Sequence, residues 1–221
     1  MKTPIHRLKK ADIIRLAKWR CEHGHSGLEH YGCWKGNTER IGFLDIETTN
    51  LDANFGIMLS YCIKDSDSKK IDEAVITVAD IKNGTAGDED CRVVKKCVED
   101  LQKYDKLVTY YGVRFDMPFI RTRAVSMGIP FPSYGTIKHQ DVYFLVRNKF
   151  KLNSNRLENA CRVLLGASDK TKIDYKHWRA AARGDKKALD YVVEHNRYDV
   201  LDLEKLYLKV CEYQKEGTNS L

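Results

Sequence analysis

The chain has 221 residues, 43% of them apolar and 31% charged, with a formal net charge of +7. That length supports a full core in one domain with an appendage, and the composition is that of an ordinary soluble globular protein. No apolar run approaches the roughly 20 residues needed to span a bilayer, the N-terminus lacks the apolar centre of a signal peptide, and the seven scattered cysteines fit a reducing compartment rather than a disulfide framework. No membrane partner is expected, and the expected location is cytoplasmic.

Charge is uneven along the chain: residues 1–40 hold nine Lys/Arg against four Asp/Glu. A basic surface attracts phosphate backbones without reading sequence, although solubility alone also accounts for such a charge. Ile13, Ile14, Leu16, Ala17 and Trp19 recur at helical spacing, which predicts a short amphipathic helix over 11–20 with a basic polar side. Next, Cys21, His23, His25, His30 and Cys33 place two cysteines and three histidines within 13 residues. Zinc binds thiolate and imidazole, so Cys21, His23 or His25, His30 and Cys33 are candidate ligands of a structural Zn²⁺. Their spacing matches no familiar finger pattern, and a glycine-rich loop is the alternative.

Residues 41–47, 57–64 and 73–78 read as three strands joined by short polar loops, an antiparallel meander. A helix over 89–104 follows, then a strand over 106–110, a helix over 117–127 and a short strand over 137–141. The remainder reads as helices over 142–148, 154–165, about 175–183 and about 186–213. This order predicts an α/β mixed sheet, three antiparallel strands plus parallel ones, with helices on both faces, as in the ribonuclease H-like fold. The expected domain plan is a basic, Cys/His-rich extension over 1–38, a catalytic domain over 39–214 and a tail over 215–221.

The chemistry starts in Ile41-Gly42-Phe43-Leu44-Asp45-Ile46-Glu47-Thr48-Thr49. Residues i and i+2 of a strand face the same way, so Asp45 and Glu47 project side by side. Two such carboxylates repel and resist burial, and oxygen ligands favour a hard cation such as Mg²⁺ or Mn²⁺. Two more acids arrive later. Asp116 opens a helix after a Gly turn in Tyr110-Tyr111-Gly112-Val113-Arg114-Phe115-Asp116-Met117-Pro118, where an N-cap role is the alternative. On the last helix His195 and Asp199 share a face at i and i+4.

Asp45-Ile46-Glu47-Thr48-Thr49, then Gly112-x-x-Phe115-Asp116-x-Pro118-Phe119-Ile120, then His195-x-x-x-Asp199 resemble the DEDD (DnaQ-like) superfamily of 3′–5′ exonucleases within the ribonuclease H-like fold. The Asn196-Arg197-Tyr198-Asp199-Val200 ending is similar to the branch related to proofreading domains of family B DNA polymerases. The resemblance covers about residues 41–212 and leaves out the first 40. It implies that Asp45, Glu47, Asp116 and Asp199 hold two Mg²⁺ or Mn²⁺ ions roughly 3.5–4 Å apart, and that nucleoside 5′-monophosphates leave the 3′ end of single-stranded DNA or RNA. His195 stands where the family usually has Tyr at this spacing; an imidazole can take the proton of the attacking water.

The resemblance also makes Thr48, Thr49 and Leu51 contacts for the terminal nucleotide and Asp141 a supporting or substrate-side acid. Tyr111 and its neighbours Tyr110 and Phe115 are candidates for base stacking, with Phe115 expected in the core and one tyrosine exposed. Lys149, Lys151, Lys170, Lys172 and Lys176 are candidates for tracking the phosphate backbone. No polymerase segment is read in the sequence, so proofreading would need a polymerase or other replication or repair protein in trans. A structure-selective or endonucleolytic ribonuclease using the same acids, and a catalytically idle nucleic-acid-binding module, are the alternatives.

Overall fold

The computed structural model describes residues 10–85, 87–166 and 175–213; the lysines at 170 and 172 and the tail over 215–221 lie outside them. The chain divides into two compact units, Met1–Glu39 and Arg40–Leu221. Among the described residues no helix is long and apolar enough to cross a membrane.

The larger unit is built on a five-stranded sheet in the order β3-β2-β1-β4-β5. β1 (Ile41–Thr48), β2 (Met58–Asp65) and β3 (Ile71–Val75) form the antiparallel meander, and β4 (Lys106–Thr109) and β5 (Lys138–Asp141) extend it in parallel. This is the ribonuclease H-like α/β fold read from the sequence. β1 is the middle strand. Its alternation sends Leu44 and Ile46 into a core with Val93, Val94, Cys97, Val98 and Leu101 of α4 (Cys91–Leu101) and with Met117, Phe119 and Ile120 of α5 (Asp116–Ser126). Phe43 goes to the opposite face, against Val142 and Val146 of α6 (Val142–Lys149), Ala160 of α7 (Leu157–Leu164), and Val200, Leu203 and Leu206 of α9 (Lys186–Val210). By the same alternation Asp45 and Glu47 fall on the α9 face.

Two departures from the sequence reading have local causes. The third strand is Ile71–Val75, not 73–78: Asp65 N–H donates to Lys70 O across the turn, so pairing with β2 begins at Ile71. It stops because Thr77 and Asp80 form a capping box that opens α3 (Val78–Asn83), a helix the periodicity did not suggest. α8 (Tyr175–Ala181) precedes α9, and a short 3₁₀ turn, Cys211–Tyr213, follows it.

In the smaller unit, α1 (Lys10–Lys18) falls within the helix expected over 11–20, apart from its first residue. A second helix, α2 (Tyr31–Thr38), begins near the end of the Cys/His-rich stretch, for which a glycine-rich loop was the alternative reading.

Candidate functional site

The site forms where β1 outruns its parallel neighbour. β1 pairs with β4 only as far as Phe43–Val108, yet it continues to Thr48. On that side the buried N–H of Ile46 needs another acceptor, and Asp116 Oδ1 supplies it at 3.1 Å. The alternative reading of Asp116 as an N-cap is thereby corrected: Phe115 holds the cap position, and Asp116 is the first helical residue with its carboxylate turned to β1. Burial pushes the Asp116 carboxyl well above the ordinary carboxylate range; the amide bonds oppose this, while the charges of Asp141 and Asp199 add to it. On the other side of β1 the register with β2 slips between Glu47 and Thr48, where Ser60 and Met58 are the successive partners. Such an irregularity re-aims the strand end carrying Glu47.

α9 lies across the sheet and is held in register by ion pairs from Arg197 to Glu73 and from Glu204 to Lys64, the latter at 3.0 Å. That register presents His195, Asn196 and Asp199 to β1. His195 Nε2 lies 3.6 Å from Asp199 Oδ2 and 4.0 Å from Glu47 Oε1. One ligand atom from each of Glu47, His195 and Asp199 lies within 4.8 Å of the others. The sequence reading missed Asn196. Its Nδ2 donates to Asp45 Oδ2 at 2.6 Å, and its Oδ1 accepts from Ser60 Oγ at 3.1 Å. Asn196 is fully buried, so this amide links β1, β2 and α9 directly beneath the acid pair. The signal was available: Asn196 is three residues before Asp199 and shares its face.

Asp45 and Asp199 line a cleft of about 590 Å³ whose walls include Tyr110, Tyr111, Tyr143, Asn155, Arg156 and Glu158. Asp141 shapes one wall. Its Oδ1 accepts from Tyr111 N at 2.8 Å and caps α6 through Tyr143 N at 3.0 Å, and its Oδ2 accepts from Val113 N at 3.0 Å. These bonds tie the turn at Tyr111 to the start of α6. They hold Tyr111 in the left-handed region, φ 70°, which is strained for an aromatic residue. At the next position a Cβ on Gly112 would collide with the side chain of Thr109. Tyr111 is 45% exposed and packs against Tyr143 and Phe144. Phe115 is half-buried against the core, and the Tyr110 hydroxyl donates to Asn155 O.

After β1, the Thr48 hydroxyl donates to Asn50 O and Thr49 Oγ1 accepts from Ile57 N, so both threonines shape the loop. Leu51 and Phe55, at 79% and 77% exposure, project from it. Arg123 pins this loop from below, donating to Ala53 O while paired with the buried Asp90. Lys149, Lys151 and Lys176 are exposed.

In the smaller unit, Cys21, His23, His30 and Cys33 each offer a ligand atom within 4.8 Å of the others. His25 is outside this group; its ring meets His30 edge-on, with centroids 5.6 Å apart.

A mixed sheet with acids gathered at the free end of its middle strand defines the ribonuclease H-like class. A family model of the RNase_H superfamily matches residues 42–211, and the chain belongs to that superfamily. Membership supports a nuclease-type activity, and such nucleases usually use divalent metals. A DNA polymerase of Methanocaldococcus jannaschii is 29% identical over a stretch covering 48% of this chain and 8% of that protein. The solved family B DNA polymerase of Pyrobaculum calidifontis superposes with a TM-score of 0.56 at 20% identity, over 77% of this chain and 24% of that one. The chain thus spans a small part of the polymerases it matches.

Proposed function

We propose that the protein is a metal-dependent 3′–5′ exonuclease of the DEDD type, hydrolysing phosphodiester bonds at the 3′ ends of single-stranded nucleic acid, with DNA the favoured substrate. The observation that carries this reading is the placing of acids from three separated segments around one strand end: Asp45 and Glu47 on β1, Asp199 on α9 at ligand distance from Glu47, and Asp116 on α5 bonded to the Ile46 amide, with Asp45 and Asp199 lining an open cleft. The likeness of the chain to DNA polymerases favours DNA over RNA and a replication or repair setting, with a polymerase as partner in trans.

The donor set fits Mg²⁺ or Mn²⁺, since carboxylate oxygens dominate it and Asp116 is buried among like charges that a cation would offset. Asp45, Glu47, Asp116 and Asp199 would hold the metal pair, which when bound supplies a lower pKa for the attacking water and positive charge for the leaving 3′ oxygen. The chain's own residues do the rest. Asn196 and the Ile46 amide orient Asp45 and Asp116 from behind. His195 Nε2, beside Glu47 and Asp199, accepts the proton of the attacking water. Tyr111 offers a half-exposed ring to the terminal bases, Arg156 offers a cation to the backbone, and Leu51 closes on the last nucleotide.

Oligonucleotides of DNA and RNA labelled at either end, with Mg²⁺ or Mn²⁺, test the proposal. Stepwise shortening from the 3′ end, faster on DNA, is expected. Internal cuts point instead to an endonuclease built on the same acids, and tight binding without products points to an idle binding module.

A further inference from the structure

We propose that the N-terminal unit is a zinc-stapled module in which Cys21, His23, His30 and Cys33 bind one structural Zn²⁺. The four ligands come as two preformed pairs. Cys21 and His23 lie on a tight turn: Cys21 N–H donates to His25 O at 3.0 Å, Gly24 N–H to Cys21 O at 2.8 Å, and an antiparallel bridge joins Arg20 to Ser26. Gly24 permits this turn with φ at +82°, a conformation other residues rarely adopt. His30 and Cys33 lie at the entry to α2. They follow a turn over residues 26–30, closed by His30 N–H donating to Ser26 O at 2.8 Å and by Ser26 and Glu29, whose side chains accept from each other's backbone amides.

These local bonds involve none of the four ligands' side chains, yet they bring the ligands to metal-binding distances. Cys21 Sγ lies 3.5 Å from His30 Nδ1, Cys33 Sγ 3.7 Å from His30 Nε2, and Cys33 Sγ 3.8 Å from His23 Nδ1. A tetrahedral zinc with Zn–S of about 2.3 Å and Zn–N of about 2.0–2.1 Å separates its ligands by roughly 3.3–3.8 Å along each edge. The observed spacings fall in this range; since one nitrogen of His30 ligates, the Cys33–His23 contact and either the Cys21 contact through Nδ1 or the Cys33 contact through Nε2 are edges of such a site. All four positions are protein ligands, which is the closed arrangement of structural zinc rather than an open catalytic one.

The energetics point the same way. Among the described residues of this unit, Leu16, Cys21, Ser26 and Gly27 are the buried ones. So small a core does not offset the ordering of some 30 residues, and units of this size generally rely on a metal or disulfide. Zinc would close the loop between α1 and α2, releasing the two thiol protons as Cys21 and Cys33 become thiolates.

The test uses the full chain purified under reducing conditions and dialysed against zinc-free buffer containing excess Mg²⁺. Elemental analysis is expected to find about one zinc per chain. Cobalt substituted for it is expected to give the strong visible bands of a tetrahedral ion and a thiolate-to-cobalt charge-transfer band. That band separates this site from the carboxylate–imidazole cluster of Glu47, His195 and Asp199, which has no sulfur. Cys21→Ser and Cys33→Ser should lose the zinc, His23→Ala should release it faster to a chelator, and His25→Ala should retain it. Less than half an equivalent in the wild type, a cobalt spectrum without the thiolate band, a Cys21–Cys33 disulfide in place of metal, or zinc retained in both serine variants would each overturn the proposal. If the serine variants fail to fold, the zinc content and cobalt spectrum of the wild type decide the matter alone.

Discussion

Asn196 offers the sharpest check on how the acid site is held. Replacing it with alanine removes a donor 2.6 Å from a carboxylate oxygen of Asp45 and the acceptor of the buried Ser60 hydroxyl. A hydrogen bond to a charged group contributes about 1.5–3 kcal/mol and a buried hydroxyl left without its acceptor costs about 1–3 kcal/mol, so Asn196→Ala should lower unfolding free energy by roughly 2.5–6 kcal/mol. Asn196→Asp separates the two bonds. It keeps the shape and the acceptor for Ser60 but sets an oxygen against Asp45 where a donor stood. Loss of partners that orient metal-ligating groups typically lowers metal affinity or activity by roughly 10–100-fold, and Asn196→Asp should lower cleavage by about 10-fold or more. Ser60→Ala should lower stability with a much smaller effect on rate. Urea unfolding gives the stability, and metal titration of oligonucleotide cleavage gives the rate and metal affinity. If Asn196→Asp cleaves within about twofold of wild type at the same metal concentration, the positioning role of Asn196 is refuted.

His195→Ala should lower the cleavage rate by roughly 10²-fold or more while metal affinity, followed by Mn²⁺ binding, stays within a few-fold; loss of metal binding would make His195 a ligand rather than the base. Arg123→Met leaves Asp90 buried without its cation and should cost about 3–5 kcal/mol in urea unfolding. A cost under about 1 kcal/mol would mean that the Met58 amide, which also donates to Asp90, is sufficient on its own. Burial, with a smaller contribution from Arg121, holds the His139 imidazole down to about 4, against 6.5 for the ordinary group. The unfolded chain therefore takes up this proton first as pH falls. His139 should remove up to about 3 kcal/mol of stability between pH 6.5 and 4, and His139→Gln should flatten that part of the stability profile.

The sheet was legible because its signals are local and repeated. Alternation along 41–47, apolar continuity along 57–64 and the helical period of 89–104 each specify an element without tertiary help. Two pairings were legible for a related reason: Asp45 and Glu47 share a strand face, and His195 and Asp199 share a helix face, by period alone. What escaped was set by contacts between distant segments or by capping. The placement of Asp116 depends on where β4 stops short of β1, which no local pattern announces. Asn196 reads as one polar residue on a polar helix face until Asp45 and Ser60 are seen beneath it. The end of the third strand and α3 follow from the Thr77–Asp80 capping box.

The central claim is that Asp45, Glu47, Asp116 and Asp199 form one metal-dependent hydrolytic site. Its most direct test is Asp45→Asn, assayed on 5′-labelled single-stranded oligonucleotides beside the wild type, with Mg²⁺, with Mn²⁺ and with chelator. The account predicts stepwise 3′ shortening by the wild type only with metal present, and none by a variant whose unfolding profile remains cooperative. Shortening that persists in folded Asp45→Asn, or in wild type stripped of metal, would contradict it.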